Sequence, residues 1–142
     1  MTTDPNCIFC KIIAGTIPCF KLYEDTKTLA FLDINPANPG HALVVPKTHA
    51  QNLYSSADAD LAAVMASTRR VASAIEAVVK PYGLNLLQAN GPGAAQSVFH
   101  LHVHIIPRMK DDNLTMNWPL KPGDKAALGE LAERIRAKLA VS

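Results

Sequence analysis

No stretch of this 142-residue sequence stays apolar for the roughly 18 residues that a membrane-crossing helix needs. The segment Met1–Asn6 is polar and the first apolar run is broken at Lys11, so no secretory signal is read there. Cysteine is scarce and odd in number, at positions 7, 10 and 19. Without a secretory signal, that points to a reducing compartment, the cytoplasm, and away from a disulfide framework. Charge of neither sign dominates. Lys and Arg number 14 against 12 Asp and Glu, and the lysines and arginines are scattered. A clustered basic face is therefore missing, and neither nucleic acid nor a membrane surface is expected as a partner. Repeats, low-complexity segments and long linkers are also absent, which leaves one domain over residues 1–142 with one core.

What is present reads as an α+β domain. Ile8–Ala14 has the length of one or two helical turns, stopped by Gly15 and Pro18. Phe20–Glu24 and Leu29–Leu32 are predicted strands around a turn at Asp25–Thr28, and His41–Val45 is a third strand ended by Pro46. A long helix is expected from about Asp58 to Lys80, with Leu61, Val64, Met65, Val71, Ile75, Val78 and Val79 as its apolar stripe. Ser55 and Asp58 would cap it, and Pro81 and Gly83 would end it. Leu84–Ala89 is a fourth strand, and a Gly/Pro/Ala loop, residues 90–95, leads into a fifth. A last helix over Lys125–Leu139 carries Leu128, Leu131, Ile135 and Leu139 on one side. Gly129 costs it about 1 kcal/mol relative to alanine, so docking is expected to support it. Helices on one face of an antiparallel sheet is the expected arrangement.

The chemistry concentrates in residues 100–107, H-L-H-V-H-I-I-P. Alternation along a strand sends Leu101, Val103 and Ile105 to one face and His100, His102 and His104 to the other, about 6.5–7 Å apart. An ordinary half-exposed strand would carry threonine, lysine or glutamate there, and clustered titratable groups mark a site. Upstream, Asn90–Ser97 is rich in small residues that let a ligand approach the backbone, and such loops form concave anion sites. Imidazoles beside an anion-binding loop fit phosphate chemistry. A neutral imidazole nitrogen can attack phosphorus and split one displacement into two through a covalent intermediate.

His-Leu-His-Val-His-Ile-Ile, preceded by Gln96-Ser97-Val98-Phe99, resembles the signature of the histidine triad (HIT) superfamily. Residues 7–18, CIFCKIIAGTIP, 29–36, LAFLDINP, and 39–47, PGHALVVPK, are similar in order to its small bacterial members. The resemblance implies a five-stranded antiparallel sheet with one long helix and a C-terminal helix, dimerising edge to edge into a ten-stranded sheet. It implies hydrolysis or transfer at the α-phosphorus of purine nucleotides, with nucleoside phosphoramidates as substrates and no catalytic cofactor. His102 falls at the nucleophile, His104 and Ser97 at phosphate or leaving-group contacts, and Gln96 alongside. Phe31, Asp33 and Ile34 match the segment that holds ribose and base, and His41 matches a histidine near the site. The site asparagine aligns either with Asn90 or with the preceding Ala89. The family's usual glycine before the glutamine is here Ala95, which disfavours φ > 0 and implies a reshaped loop.

Cys7 and Cys10 also read as semi-buried apolar residues or a redox pair, and their spacing to the histidines does not identify zinc. The family resemblance implies a structural zinc held by Cys7, Cys10, His49 and His100, tying the N-terminal segment to the third and fifth strands. Three other readings stand beside the phosphoramidate hydrolase. They are a dinucleoside polyphosphate hydrolase, a non-catalytic nucleotide-binding or interaction module, and a metal-dependent hydrolase using the three strand histidines as ligands.

Overall fold

The protein is described here by a computed structural model covering residues 1–141. Five short runs rich in β-branched and aliphatic residues form the strands: β1 (Lys21–Glu24), β2 (Thr28–Leu32), β3 (Ala42–Pro46), β4 (Gly83–Leu87) and β5 (Val103–Arg108). They make one sheet in the order β1-β2-β3-β5-β4, with every neighbouring pair antiparallel. The β1–β2 turn is closed by Asp25, whose Oδ1 accepts from the backbone N–H groups of Lys27 (2.8 Å) and Thr28 (2.7 Å). Those hydrogen bonds hold its carboxyl down at about 2, although burial opposes them.

The helices are α1 (Ile8–Ile13), α2 (Asp58–Val79) and α3 (Lys125–Leu139). Packing against one face of the sheet is the work of α2, whose Val64, Val71 and Ile75 join Ala30, Val44, Val103 and Ile105. Each such aliphatic side chain removed from water stabilises the fold by about 1.5–3 kcal/mol. The opposite face is covered as well, by Phe9 and the two cysteines of the α1 segment packed on Leu29, Phe31, Leu43 and Val45. The expectation of helices on a single face is thus corrected. Register decides which residues meet there: Phe31 pairs with Leu43 and Leu43 with His104, one row across three strands on the α1 side.

Three further expectations are corrected. The first turn of α2 has Ala57 as its cap with no side-chain hydrogen bond, and the capping box belongs to the 3-10 turn Leu53–Ser55, between Asn52 and Ser55. On α2, Met65 and Val78 face solvent, while Ser67 and Thr68 are buried. Their hydroxyls satisfy themselves, Thr68 Oγ1 donating to Val64 O (2.7 Å) and Ser67 Oγ sharing a 2.7 Å bond with Thr28 Oγ1. Finally, α3 buries none of its residues, so Leu128, Leu131, Ile135 and Leu139 form an exposed apolar face.

Beyond β5 the chain leaves the sheet as an arm, pinned at its root by Arg108. The guanidinium is bidentate to Asp112 (Nε–Oδ2 2.8 Å, Nη2–Oδ1 3.0 Å) and also reaches Leu114 O. This pairing keeps the Asp112 carboxyl well below the usual carboxylate range. Asn38 donates to Pro107 O and to Asp112 Oδ2, both at 2.9 Å, and so fastens the 33–40 loop to the same root.

Candidate active site and metal cluster

A cleft of about 360 Å³ opens on the α1 side of the sheet. Its floor carries His102 and His104, one wall holds Phe31, Asp33, Ile34 and Leu43, and Ser97 stands at its mouth. Ile8, Phe9 and Ile12 of α1 line the cleft as well. These α1 residues were not among the expected contacts. The signal for them was the apolar i, i+1, i+4 spacing of a helix too short to read confidently from periodicity alone. A somewhat larger groove of about 420 Å³ lies between β1 and the second half of α2. Apart from Arg70 and Tyr23 it is lined by apolar residues and glycine, so it lacks the groups for phosphate chemistry.

The strand carrying the histidines begins only at Val103, so His100 and His102 precede the ladder and do not sit in a flat row with His104. Leu101, Val103 and Ile105 are buried as alternation expects, but His100 and His102 are buried too. His100 turns toward the cysteines, while the His102 and His104 rings stay 4.9 Å apart in the cleft. The three histidines therefore belong to different groups, which removes the arrangement in which all three ligate one ion.

The protonation pattern follows from backbone partners. His102 Nδ1 lies 2.7 Å from His100 O, and a carbonyl only accepts, so this nitrogen holds the proton. In the neutral ring Nε2 is then a bare lone pair. Burial lowers the His102 pKa, which favours that neutral ring. A second chain starts at Ala37, whose N–H donates to His41 Nδ1 (2.9 Å). His41 must therefore carry its proton on Nε2, which lies 2.9 Å from His104 Nδ1 and 3.5 Å from Asp33 Oδ2. His104 Nδ1 accepts, so a neutral His104 presents Nε2–H as a donor. Burial, helped by repulsion from His102 and His41, lowers its pKa to about 4. The cleft thus holds one imidazole ready to give a lone pair and one ready to donate a hydrogen bond.

The other expected contacts divide. Ser97 lines the cleft. Gln96 is buried outside the lining: its Oε1 accepts from Gly91 N–H (2.8 Å) and its Nε2 donates to Gln51 O (2.7 Å) and Val98 O (3.1 Å). It braces the loop. Asn90 is likewise outside the lining, clamped to Gln88 by two 2.8 Å bonds and accepting from Leu53 N–H. His41 lies behind His104 and reaches the cleft through it. Ala95 adopts the left-handed conformation at φ 62°, ψ 30°.

Cys7, Cys10, His49 and His100 offer ligand atoms all within 4.8 Å of one another, close enough to hold a metal. Cys10 Sγ is 3.4 Å from His49 Nδ1 and 3.6 Å from His100 Nδ1, and Cys7 Sγ is 3.5 Å from His100 Nδ1. The two Nδ1 atoms are 3.1 Å apart. Bonds of about 2.3 Å to sulfur and 2.0–2.1 Å to nitrogen in a tetrahedron separate ligand atoms by about 3.3–3.8 Å, so the three sulfur–nitrogen spacings fit a tetrahedral ion and the two nitrogens would have to part by about 0.2 Å. The orientation fits too. His100 Nε2 donates to Pro46 O (2.8 Å), which leaves its Nδ1 lone pair facing the sulfurs. Burial pushes the Cys10 thiol up, a cost that a bound cation reverses. Neither the Pro46 carbonyl nor the Ala37 N–H carries any mark in sequence, because every residue has a carbonyl and every residue but proline an N–H.

Comparison with known proteins agrees with this geometry. The HIT domain model matches residues 14–111. "Protein hit" of Bacillus subtilis is 49% identical over 120 residues, covering 84% of this chain and 83% of that protein. The adenosine 5'-monophosphoramidase hnt1 of Schizosaccharomyces pombe is 42% identical over 135 residues, covering 94% and 98%. Among solved structures, a Zn-bound histidine triad family protein from Mycobacterium smegmatis superposes with a TM-score of 0.74 at 34% identity, covering 96% of each chain. With the family's motifs folded around one cleft and its model matched over most of the length, this chain belongs to the HIT domain family.

Proposed function

We propose that this chain hydrolyses purine nucleoside phosphoramidates through a covalent nucleotidyl-histidine on His102. One observation carries the reading: the His100 carbonyl holds the proton on His102 Nδ1, which leaves Nε2 as the nucleophile in the cleft. In the first step Nε2 bonds to the α-phosphorus as the phosphorus–nitrogen bond to the amine breaks, and the leaving nitrogen takes its proton from solvent water. The positive charge that develops on the ring is shared with the His100 carbonyl through Nδ1–H. His104 Nε2–H donates to a phosphoryl oxygen, and Ser97 at the mouth contacts the phosphate or leaving group. In the second step water attacks the same phosphorus, the phosphorus–Nε2 bond breaks, the water's proton passes to solvent, and Nε2 regains its lone pair. Phe31 and Ile34 take the base and Asp33 the ribose. The named activity of the fission-yeast relative supports this substrate class.

Within the same reading, Cys7, Cys10, His49 and His100 hold a structural zinc, which when bound supplies a cross-link between the N-terminal segment and the sheet. The mycobacterial relative's bound zinc and the donor set both support that identity over other divalent ions. A homodimer is supported by the unpaired edge of β4, where Leu86 and Leu87 are exposed, and by the exposed side chains of Leu128, Leu131 and Ile135 on α3. Three cysteines without a disulfide accord with a cytoplasmic setting. No described helix is long and apolar enough to cross a membrane.

The test is to incubate the protein with a labelled adenosine phosphoramidate, quench early and look for a covalent nucleotidyl-protein. His102→Ala should abolish the adduct and lower kcat by at least about 10³-fold. Turnover that survives His102→Ala unchanged refutes the mechanism.

A further inference from the structure

The metal cluster and the cleft share a helix. In α1, six residues long, Cys7 caps the N-terminus and Cys10 lies one turn in. A helix of that length is not stable by itself, so external contacts must hold it. At its N-terminal end those contacts are sulfur-centred: Cys10 N–H donates to Cys7 Sγ, and Asp4 N–H donates to Cys10 Sγ, both at 3.4 Å. The same sulfurs face His49 and His100 on the sheet side. Between the two cysteines sits Phe9, buried, with its ring edge-on to His102 (centroids 5.1 Å, 87°) and to Phe31 (5.6 Å, 70°). Phe9 also lines the cleft, as do Ile8 and Ile12 of the same helix.

We infer that occupancy of the metal cluster sets the nucleotide affinity of the cleft, because the ion holds α1 as the cleft wall and Phe9 is the positioning residue that carries the effect to His102. This rests on the zinc and nucleotide readings above. Affinity coupling is reciprocal: if zinc tightens nucleotide, nucleotide tightens zinc by the same factor. A merely structural role for Phe9 would weaken both without changing their coupling.

The experiment measures zinc affinity of the full chain by competition with a chromogenic chelator, with and without saturating adenosine 5'-monophosphate. In the unmutated protein the nucleotide should tighten zinc about tenfold, within the usual range of coupling between sites. In Phe9→Leu, chosen to keep the apolar cluster filled, the factor should fall to about twofold or less. Equal zinc affinity with and without nucleotide in the unmutated chain overturns the inference. So does undiminished coupling in Phe9→Leu, because the linkage would then come from folding as a whole. Should Phe9→Leu not fold, amide exchange on the unmutated chain decides. Zinc removal should speed exchange across Ile8–Ile13 while β2 and β3 stay protected, and equal exchange or simultaneous loss across the sheet counts against the inference. A chain that binds no zinc fails the metal reading and this inference with it. Zinc bound without nucleotide binding fails the nucleotide reading, so the two failures are distinguishable.

Discussion

Replacing Ala95 by glycine should stabilise this protein, and the size of the gain can be worked from the loop. Ala95 is exposed, so its methyl contributes no core packing. It adopts φ 62° and closes the 3-10 turn Pro92–Ala94, with its N–H donating to Pro92 O (3.1 Å). Gln96 N–H donates to Gly91 O (3.1 Å), which commits the next residue to the same turn. The left-handed conformation costs an L-residue about 1–2 kcal/mol. Glycine removes that strain, but its freer unfolded chain offsets about 0.4–1 kcal/mol. The net expectation for Ala95→Gly is about 0.5–1 kcal/mol of added stability. In urea that moves the midpoint up by about 0.4 M with the slope unchanged. In a thermal melt it raises Tm by about 2–4 °C. Both measurements are to be made with saturating zinc in each sample, so that metal loss does not enter the comparison. A midpoint that is unchanged or lower in Ala95→Gly would refute the strain argument and place the cost of the loop elsewhere.

Two other outcomes follow from the site. The His104 pKa is lowered to about 4 by burial, below the unfolded value near 6.5, so between those pH values the unfolded chain binds more protons. Stability should therefore be full above about pH 6.5 and fall as pH drops toward 4. A plot of Tm against pH should fall less steeply over that window in His104→Asn, and parallel curves would contradict the assignment. Cys10→Ser should reduce zinc from near-stoichiometric to a small residue by elemental analysis. If the ion is present at about 100 times its Kd, its loss removes about 2.7 kcal/mol, or several degrees of Tm. Near-stoichiometric zinc retained in Cys10→Ser would exclude that thiol as a ligand.

Much of the fold is legible in sequence because its strands are bounded by turn residues and its two longer helices by clear end signals. The α3 bounds, Lys125–Leu139, agree with the expected ones, and α2 ends within a residue of expectation at Val79. What misled was local. Met65 and Val78 fall on the apolar stripe of α2 by spacing, yet both face solvent, while Ser67 and Thr68 are buried because each hydroxyl has a hydrogen-bond partner close by. The reading of three histidines on one strand face presupposed a strand that starts at His100. The ladder starts three residues later, which frees His100 to turn toward the cysteines. Gln96 and Asn90 sit beside site residues in the chain and were expected to touch substrate. Their amides are engaged with Gly91, Val98 and Gln51 and with Gln88 and Leu53, partners that only three-dimensional distances reveal. The grouping of Cys7, Cys10, His49 and His100 came from family resemblance, since their separations along the chain carry no metal signature of their own.

The protonation pattern of the cleft and the metal cluster is written almost wholly in main-chain atoms: a carbonyl at His100, a carbonyl at Pro46 and an amide at Ala37. No substitution deletes a carbonyl, and proline alone among the standard residues deletes an amide hydrogen. The side chain at position 37 is therefore free to drift over evolutionary time without disturbing which nitrogen of His41 bears its proton. Even His100, if exchanged in a lineage that gave up the metal, would keep the oxygen that orients the nucleophile. What selection must preserve to keep this chemistry is the path of the backbone, so the reactive tautomers are inherited with the fold, and the motif records only where the imidazoles stand.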